Sequence, residues 1–531
     1  MRKGKFLFIL HSHLPYVRHP NYDFFMEENW LFEAITETYL PLLDVFNRLE
    51  KDNIPFNLTI SFTPTLMEML TTEDLQVKYE KHLRAMITLS ELEIEKTKEE
   101  DPRKYKMAKF YNSYLERILF LFSDQYSHNI LKGFKEFQDK GYIEVVTCNG
   151  THGFLPFMMN HPAAIRAQLI TAKNTYYKNF NKNPEGIWLA ECGYTPDLDK
   201  YLNEFNFNYF FVDSHAFWYG SSPAKYSVYR PIITKNKVFA FSRDPESSEQ
   251  VWSSDIGYPG DSRYREFYRD IGFDRSLEYI KPFIDPSGMR INTGIKYHKI
   301  TDKKLPLELK ELYDIDEAFI AVSEHAKDFI SKKRSQIKRL ISMMPDLEPI
   351  IVAPFDTELF GHWWFEGPYF IENFFRELQK NDEIESSTPS KIIESLEEVQ
   401  MLTPGASTWG AKGFNDVWLN KSNDWVYKHL SEMSDIMVKT SKYDDKDPTL
   451  IRILNQMAKE LLLAQASDWA FIMTTGTTVE YAVKRTKEHI NRFFELFYMF
   501  DNKIDEKRLK EIEWLDKIFD DLDYKIFRNN C

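Results

Sequence analysis

The sequence predicts an α/β fold: a β/α barrel with a helical insertion and an all-helical C-terminal region. Three observations carry this. Short β-type apolar runs recur up to Ala353, and each ends in or beside polar residues. Segments with apolar three-four spacing separate them, and strands alternating with helices imply a parallel sheet. Two charged, helix-rich stretches break the alternation.

The first run, Lys5–Leu10, leads into His11 and His13. Asn57–Ser61 leads into Thr63 and Pro64, and Tyr142–Val146 into Thr147, Asn149 and His152. Gly186–Leu189 precedes Glu191, Tyr209–Val212 precedes Asp213 and His215, and Val238–Phe241 precedes Arg243 and Asp244. Met289–Ile295 contains Asn292 and precedes His298, and Pro349–Ala353 precedes Asp356 and Glu358. Ala34–Leu49 and Ala163–Asn181 read as helices between them. Seven or eight such units suggest a closed barrel, whose active site lies in the loops after the strands. The polar clusters fall there. Thr71–Phe137, with ELEIEKTKEE at its centre, reads as a helical insertion. Beyond Pro404 the pattern is helical over Asp424–Thr440, Pro448–Ala466 and Thr478–Phe500. The stretch Trp409–Trp425 is expected to fold back over the barrel mouth. The expected domains are a catalytic barrel over 1–70 and 138–404, an insertion over 71–137 and a helical domain over 405–531.

At roughly 100–200 residues per domain, 531 residues suit this plan. The 68 Lys and Arg against 81 Asp and Glu give a net charge of -13. That balance disfavours nucleic acid, which calls for a basic stripe, and shows no basic membrane-surface helix. Cys148, Cys192 and Cys531 are too few for a disulfide framework. The apolar start FLFIL is too short to span a membrane and no cleavage site follows it. The expected setting is soluble and cytoplasmic. Aromatics are abundant, with 42 Phe, 29 Tyr and 11 Trp. Most of this is core packing. Trp252, Trp364, Trp409, Trp418 and Trp425, however, sit in polar surroundings, where a flat face suits the apolar C–H face of a sugar.

Three constellations can carry chemistry. In His11-Ser12-His13, side chains two apart at a strand end point the same way. They suit a metal pair, a pair of donors to substrate hydroxyls, or a pair satisfied by backbone. In WLAECGY, Glu191 directly follows a buried-type strand, where a carboxylate is costly unless paired or used. Cys192 has no basic neighbour and reads as packing. In APFDTELFGHWW, Asp356 and Glu358 lie among aromatics, which would raise a carboxyl pKa by desolvation. Two carboxylates on different barrel strands are what glycoside chemistry needs: one attacks the anomeric carbon and one protonates the leaving oxygen. Arg243-Asp244 and Arg265-Glu266 also fit plain surface ion pairs, and Asp468 fits a helix cap. The sequence has no phosphate loop, no G-x-S-x-G elbow and no CxxC pair.

Taken together, these segments resemble glycoside hydrolase family 57. Five stretches match its pattern in order: His11–Tyr16, Asn149–Pro156, Trp188–Tyr194, Ala353–Trp364 and the region around Trp409. The subgroup resembled is that of the 1,4-α-glucan (glycogen) branching enzymes and the α-amylases sharing their architecture. The resemblance implies an incomplete (β/α)7 barrel with a helical insertion and a C-terminal all-helical domain. It implies Glu191 as nucleophile and Asp356 as general acid/base. It also implies His11, His13 and His152 around the adjoining sugar subsite, and Trp30, Trp409 and Trp418 as aromatic platforms. Arg265, Gly294, Trp409 and Asp468 match substrate-binding positions. The implied partner is an α-glucan, with no cofactor and no metal. Branching members carry a long loop whose tyrosine shields the glycosyl-enzyme from water. Here Thr234–Lys237 is short and has no aromatic, which predicts appreciable hydrolysis beside transfer. An α-amylase or 4-α-glucanotransferase is the near alternative. A metal-dependent deacetylase or mannosidase using His11, His13 and Asp213 or His215 is a distant one. A non-catalytic glucan-binding protein is a third.

Overall fold

Leu7 and Ile9 are buried on one face of the first strand, and Phe6, Phe8 and Leu10 on the other. The period of two continues the inner face of Leu7 and Ile9 to His11. That strand, β1 (Gly4–Ser12), lies between two neighbours of the sheet in a computed structural model describing residues 3–253, 256–444 and 446–528. Cys531 lies outside the described residues.

Besides the short β9 (Ile384–Ser386), six more strands run parallel to it: β2 (Leu58–Phe62), β3 (Ile143–Cys148), β4 (Gly186–Trp188), β5 (Tyr209–Val212), β7 (Phe239–Ser242) and β8 (Ile350–Asp356). The short β6 (Ile232–Ile233) pairs antiparallel with β7, and β10 (Gln400–Met401) extends β6. The order is β10-β6-β7-β5-β4-β3-β2-β1-β8. One edge of β1 is shared: β9 (Ile384–Ser386) takes Gly4–Phe6, and β2 takes Ile9–Ser12. Past β7, Asp244 N–H donates to the Val352 carbonyl of β8 at 2.8 Å. This contact brings the curled sheet's ends together without a paired ladder. The fold is an incomplete (β/α)7 barrel.

Met289–Ile295 is not a strand. Asp270 takes the backbone N–H groups of Thr293 and Gly294, at 3.0 and 2.9 Å, and Gly294 turns at φ 81°. A side chain thus supplies partners that a neighbouring strand would otherwise give. The helix Ile315–Met343 follows and leads into β8.

After β2, the chain leaves the barrel as the helices Glu73–Thr97 and Pro102–Leu119 and returns through Ile130–Asp139. Asp101 and Asn129 cap the latter two, each accepting a backbone N–H of the first turn. The C-terminal helices are Asp424–Thr440, Pro448–Ala464, Ser467–Thr475, Val479–Asp501 and Glu506–Leu515. They dock on the barrel at its functional end: Ser467 N–H donates to the His152 carbonyl at 2.9 Å, and Gln168 to Gln465 at 2.9 Å. Among the described residues, no helix is long and apolar enough to cross a membrane.

Candidate active site

Strand β4 ends in the turn Ala190–Cys192, where Glu191 has φ 64° and Cys192 φ 51°. Left-handed backbone at non-glycine residues costs of order 1–3 kcal/mol each and persists only where neighbours hold it. Asn149 accepts the Ala190 N–H at 3.2 Å, and the Glu191 carbonyl accepts the Trp409 N–H at 3.0 Å. Tyr194 and Ser407 exchange two backbone bonds, at 2.9 and 3.0 Å. The returning segment therefore clamps this turn. The carboxylate is held as well. Trp409 Nε1–H donates to Oε2 at 2.9 Å, and Ser467 Oγ lies 3.0 Å from Oε1. Cys192 is buried, and burial pushes its thiol up, so it packs rather than reacts.

His11 is in register with Ser61 on β2 and with Asp356 on β8. Its ring lies between Trp188 at 4.8 Å and His13 at 4.9 Å, and His13 stacks on His152 at 4.2 Å. Burial, followed by the neighbouring His13 and His152, holds His11 well below the usual imidazole range. His13 moves the other way. Burial opposes its charge, but Asp468, 3.4 Å from Nε2, and then Asp356 and Glu358 push it up to about 10. Asp468 also lies 3.5 Å from His152 Nδ1. Burial would raise its carboxyl, yet His152 and His13 hold it below the usual carboxylate range.

Asp356 ends β8 with Oδ1 4.0 Å from His13 Nδ1. Burial pushes it up to about 7, against the charge of His13 and with that of Glu358 and Glu191. Glu358 accepts a hydrogen bond from Tyr39 and is itself raised by burial. Tyr39 belongs to a π-helical turn, Ile35–Tyr39. Such turns are frequent at functional sites. This one offers three consecutive residues to the loop after Asp356. Tyr39 meets Glu358, Thr38 Oγ1 accepts the His362 N–H at 3.1 Å, and Glu37 meets the His362 ring at 3.2 Å. Among the buried polar atoms around the cleft that have no hydrogen-bond partner are His13 Nδ1, Asp356 Oδ1 and Asp468 Oδ2. Buried polar groups call for hydrogen-bond partners, so these suit the hydroxyls of a polyol.

The model for glycosyl hydrolase family 57 matches residues 7–333, and that for the C-terminal domain of 1,4-α-glucan branching enzymes matches 429–527. The chain is 34% identical to a 1,4-α-glucan branching enzyme of Thermococcus kodakarensis, over 97% of this chain and 77% of that one. The chain belongs to glycosyl hydrolase family 57. Among solved structures of the family's fold it resembles the α-amylase AmyC of Thermotoga maritima (TM-score 0.94, 55% identity, all of both chains). It also resembles the branching enzyme of Pyrococcus horikoshii (TM-score 0.88, 34% identity, 99% of this chain and 97% of that one).

Of the residues carried over from the family pattern, Glu191, His11, His13, His152, Asp356, Trp409 and Asp468 meet in one cluster. Arg265 and Gly294 meet each other: Arg265 bonds Glu37 at 2.6 Å and the Gly294 carbonyl at 3.2 Å. Neither is a surface feature; Arg265 is buried, and Glu266 pairs with buried Lys310 at 3.1 Å. Arg243 is not a surface pair with Asp244 either. It meets Asp213 at 3.1 Å, while Asp244 pairs with buried Lys333 at 3.3 Å. Trp30 is half-buried, edge-on to Tyr481. Trp418 is not an open platform. It is buried, stacked on Phe154 at 4.9 Å, and backs the glycine that follows Trp409. Trp364 is buried too, whereas its neighbour Trp363 is 53% exposed and stacks on Phe267 at 4.4 Å. The distant metal reading drew a third ligand from Asp213 or His215. Those two bond each other at 3.2 Å, and His215 also bonds the Gly413 carbonyl. The third imidazole beside His11 and His13 is His152. Sequence reasoning assigned no role to Ser467, Trp188 or Tyr39. For Trp188 the signal was present, because it lies on the strand that delivers Glu191.

Proposed function

We propose that this chain is a retaining α-glucan-acting enzyme, a 1,4-α-glucan branching enzyme with appreciable hydrolysis. Glu191 is its nucleophile and Asp356 its general acid/base. The observation that carries this is the contrast between the two carboxyl groups. Glu191 has both oxygens held, by the Trp409 indole N–H and by Ser467, whereas Asp356 keeps one oxygen without a hydrogen-bond partner and is pushed up to about 7, chiefly by burial.

Asp356 gives its proton to the departing glycosidic oxygen while a Glu191 oxygen bonds the anomeric carbon, forming a β-glycosyl ester. Asp356, now ionised, takes the proton of the attacking hydroxyl, and the ester bond breaks. A sugar 6-hydroxyl gives an α-1,6 branch, a 4-hydroxyl gives disproportionation, and water gives hydrolysis. One intermediate serves all three, so water exclusion sets the ratio. His13 and Asp468 offer polar atoms for the sugar bound beside Glu191, His152 lies behind them with both ring nitrogens held by Ser467 and His11, and Trp409 offers a wall. The branching reading is supported by the relatives' described activity and the C-terminal domain they share.

A specific observation favours hydrolysis as the second outcome. The turn Thr234–Lys237 is tight, with Lys235 tied to Asp197 at 2.6 Å and Asn236 to Asp199 at 2.8 Å, and it holds no aromatic. The likeness to an α-amylase agrees with it. Buried free thiols at Cys148 and Cys192 support a cytoplasmic setting.

The test is proton NMR of amylose digests, counting α-1,6 linkages against new reducing ends. Both are expected to rise. Reducing ends without α-1,6 signal would make this an α-amylase.

A further inference from the structure

Behind Ser467, the contacts of Glu191 continue into a line of hydrogen bonds to which the reaction above gives no role. Ser467 Oγ lies 3.0 Å from Glu191 Oε1 and 3.0 Å from His152 Nδ1. Across that ring, His152 Nε2 lies 3.0 Å from His11 Nε2. His11 Nδ1 in turn lies 3.2 Å from Ser61 Oγ. All five residues are buried.

The chemistry of these groups orients the line. An ionised carboxylate only accepts, so Ser467 gives its single O–H to Glu191. The serine oxygen then faces His152 Nδ1, which must carry a hydrogen. Asp468 Oδ2, 3.5 Å from the same nitrogen, favours the hydrogen there too. Two facing ring nitrogens at 3.0 Å hold one proton between them. With His152 neutral, that proton sits on His11 Nε2, and His11 Nδ1 accepts from Ser61. His11, whose pKa is lowered chiefly by burial, suits this neutral role. The spacing is that of a hydrogen bond. A tetrahedral zinc with Zn–N of roughly 2.0–2.1 Å would set the nitrogens about 3.3 Å apart.

Ser467 is the first residue of the helix Ser467–Thr475 and follows the N-cap Ala466, so it does not occupy the capping position. Its place is fixed by backbone instead: its N–H donates to the His152 carbonyl at 2.9 Å, and Gly153 and Ala466 form an antiparallel bridge. The hydroxyl can therefore be removed without unseating the segment.

We propose that Ser467 is a positioning residue for the nucleophile, the last member of a polarised relay Ser61–His11–His152–Ser467 that orients the ionised Glu191. The inference rests on Glu191 being the nucleophile.

Two measurements test it. In ¹⁵N-histidine-labelled wild-type protein, with His11→Gln and His152→Gln for assignment, His152 is expected to carry its proton on Nδ1 and His11 on Nε2. The reverse tautomers, or a doubly protonated His152, overturn the relay whether or not glucan is turned over. On amylose, Ser467→Ala is expected to lower kcat by roughly 10- to 100-fold, with KM within about twofold. Ser467→Thr is expected to recover most of the rate. A folded Ser467→Ala with wild-type kcat, or a threonine no better than alanine, overturns the positioning role. If wild-type protein does not act on amylose, the functional reading falls, and the tautomers still decide the relay.

Discussion

Trp409 reaches Glu191 twice: its indole N–H donates to Oε2 at 2.9 Å, and its backbone N–H donates to the Glu191 carbonyl at 3.0 Å. The first bond aims the carboxylate, and the second holds its left-handed backbone. Trp409→Phe removes only the first. A hydrogen bond to a charged group contributes about 1.5–3 kcal/mol, so kcat/KM on amylose is expected to fall roughly 10- to 100-fold. The melting temperature should move by only a few degrees. Near-wild-type turnover would show that the indole bond is dispensable.

Asp356 must hold a proton to act as acid, and it is pushed up to about 7 chiefly by burial. The basic limb of kcat/KM is therefore expected near that pH, with activity falling above it. Glu358→Gln removes a like charge beside Asp356. Ionisation of Asp356 becomes easier, its pKa falls, and the basic limb moves to lower pH. A pH–rate profile of the two proteins checks the sign; an upward move contradicts it.

Gly361 lies at φ 136°, and a Cβ there would stand 2.0 Å from the Glu37 carbonyl. Gly361→Ala must push the acid/base loop off the π-helical turn. The strained backbone costs roughly 1–3 kcal/mol, before any cost of the clash. The variant is expected to melt several degrees lower and to lose most activity. An unaltered melting curve and rate would mean that the loop and the turn are not coupled.

The barrel and its two carboxylates were legible because they obey local rules. Leu7 and Ile9 alternate inward, so His11 follows them by period alone. Glu191 and Asp356 end apolar strands, where polar groups need a reason. Met289–Ile295 alternates as convincingly, but Asp270, about twenty residues earlier, takes its backbone. Trp363 and Trp364 are adjacent in a loop, where no period tells the exposed ring from the buried one. Ser467 was beyond reach for another reason: its partners Glu191 and His152 lie 276 and 315 residues away.

Glu191 is proposed to form a glycosyl ester with assistance from Asp356. An α-maltosyl fluoride donor needs little acid help to depart, whereas breakdown of the ester needs the base. In Asp356→Asn the intermediate should therefore accumulate. Peptide mapping by mass spectrometry is expected to find the added sugar on the peptide containing Glu191, and only there. A sugar carried by another carboxylate, or an unlabelled protein that releases β-configured product, would contradict the account.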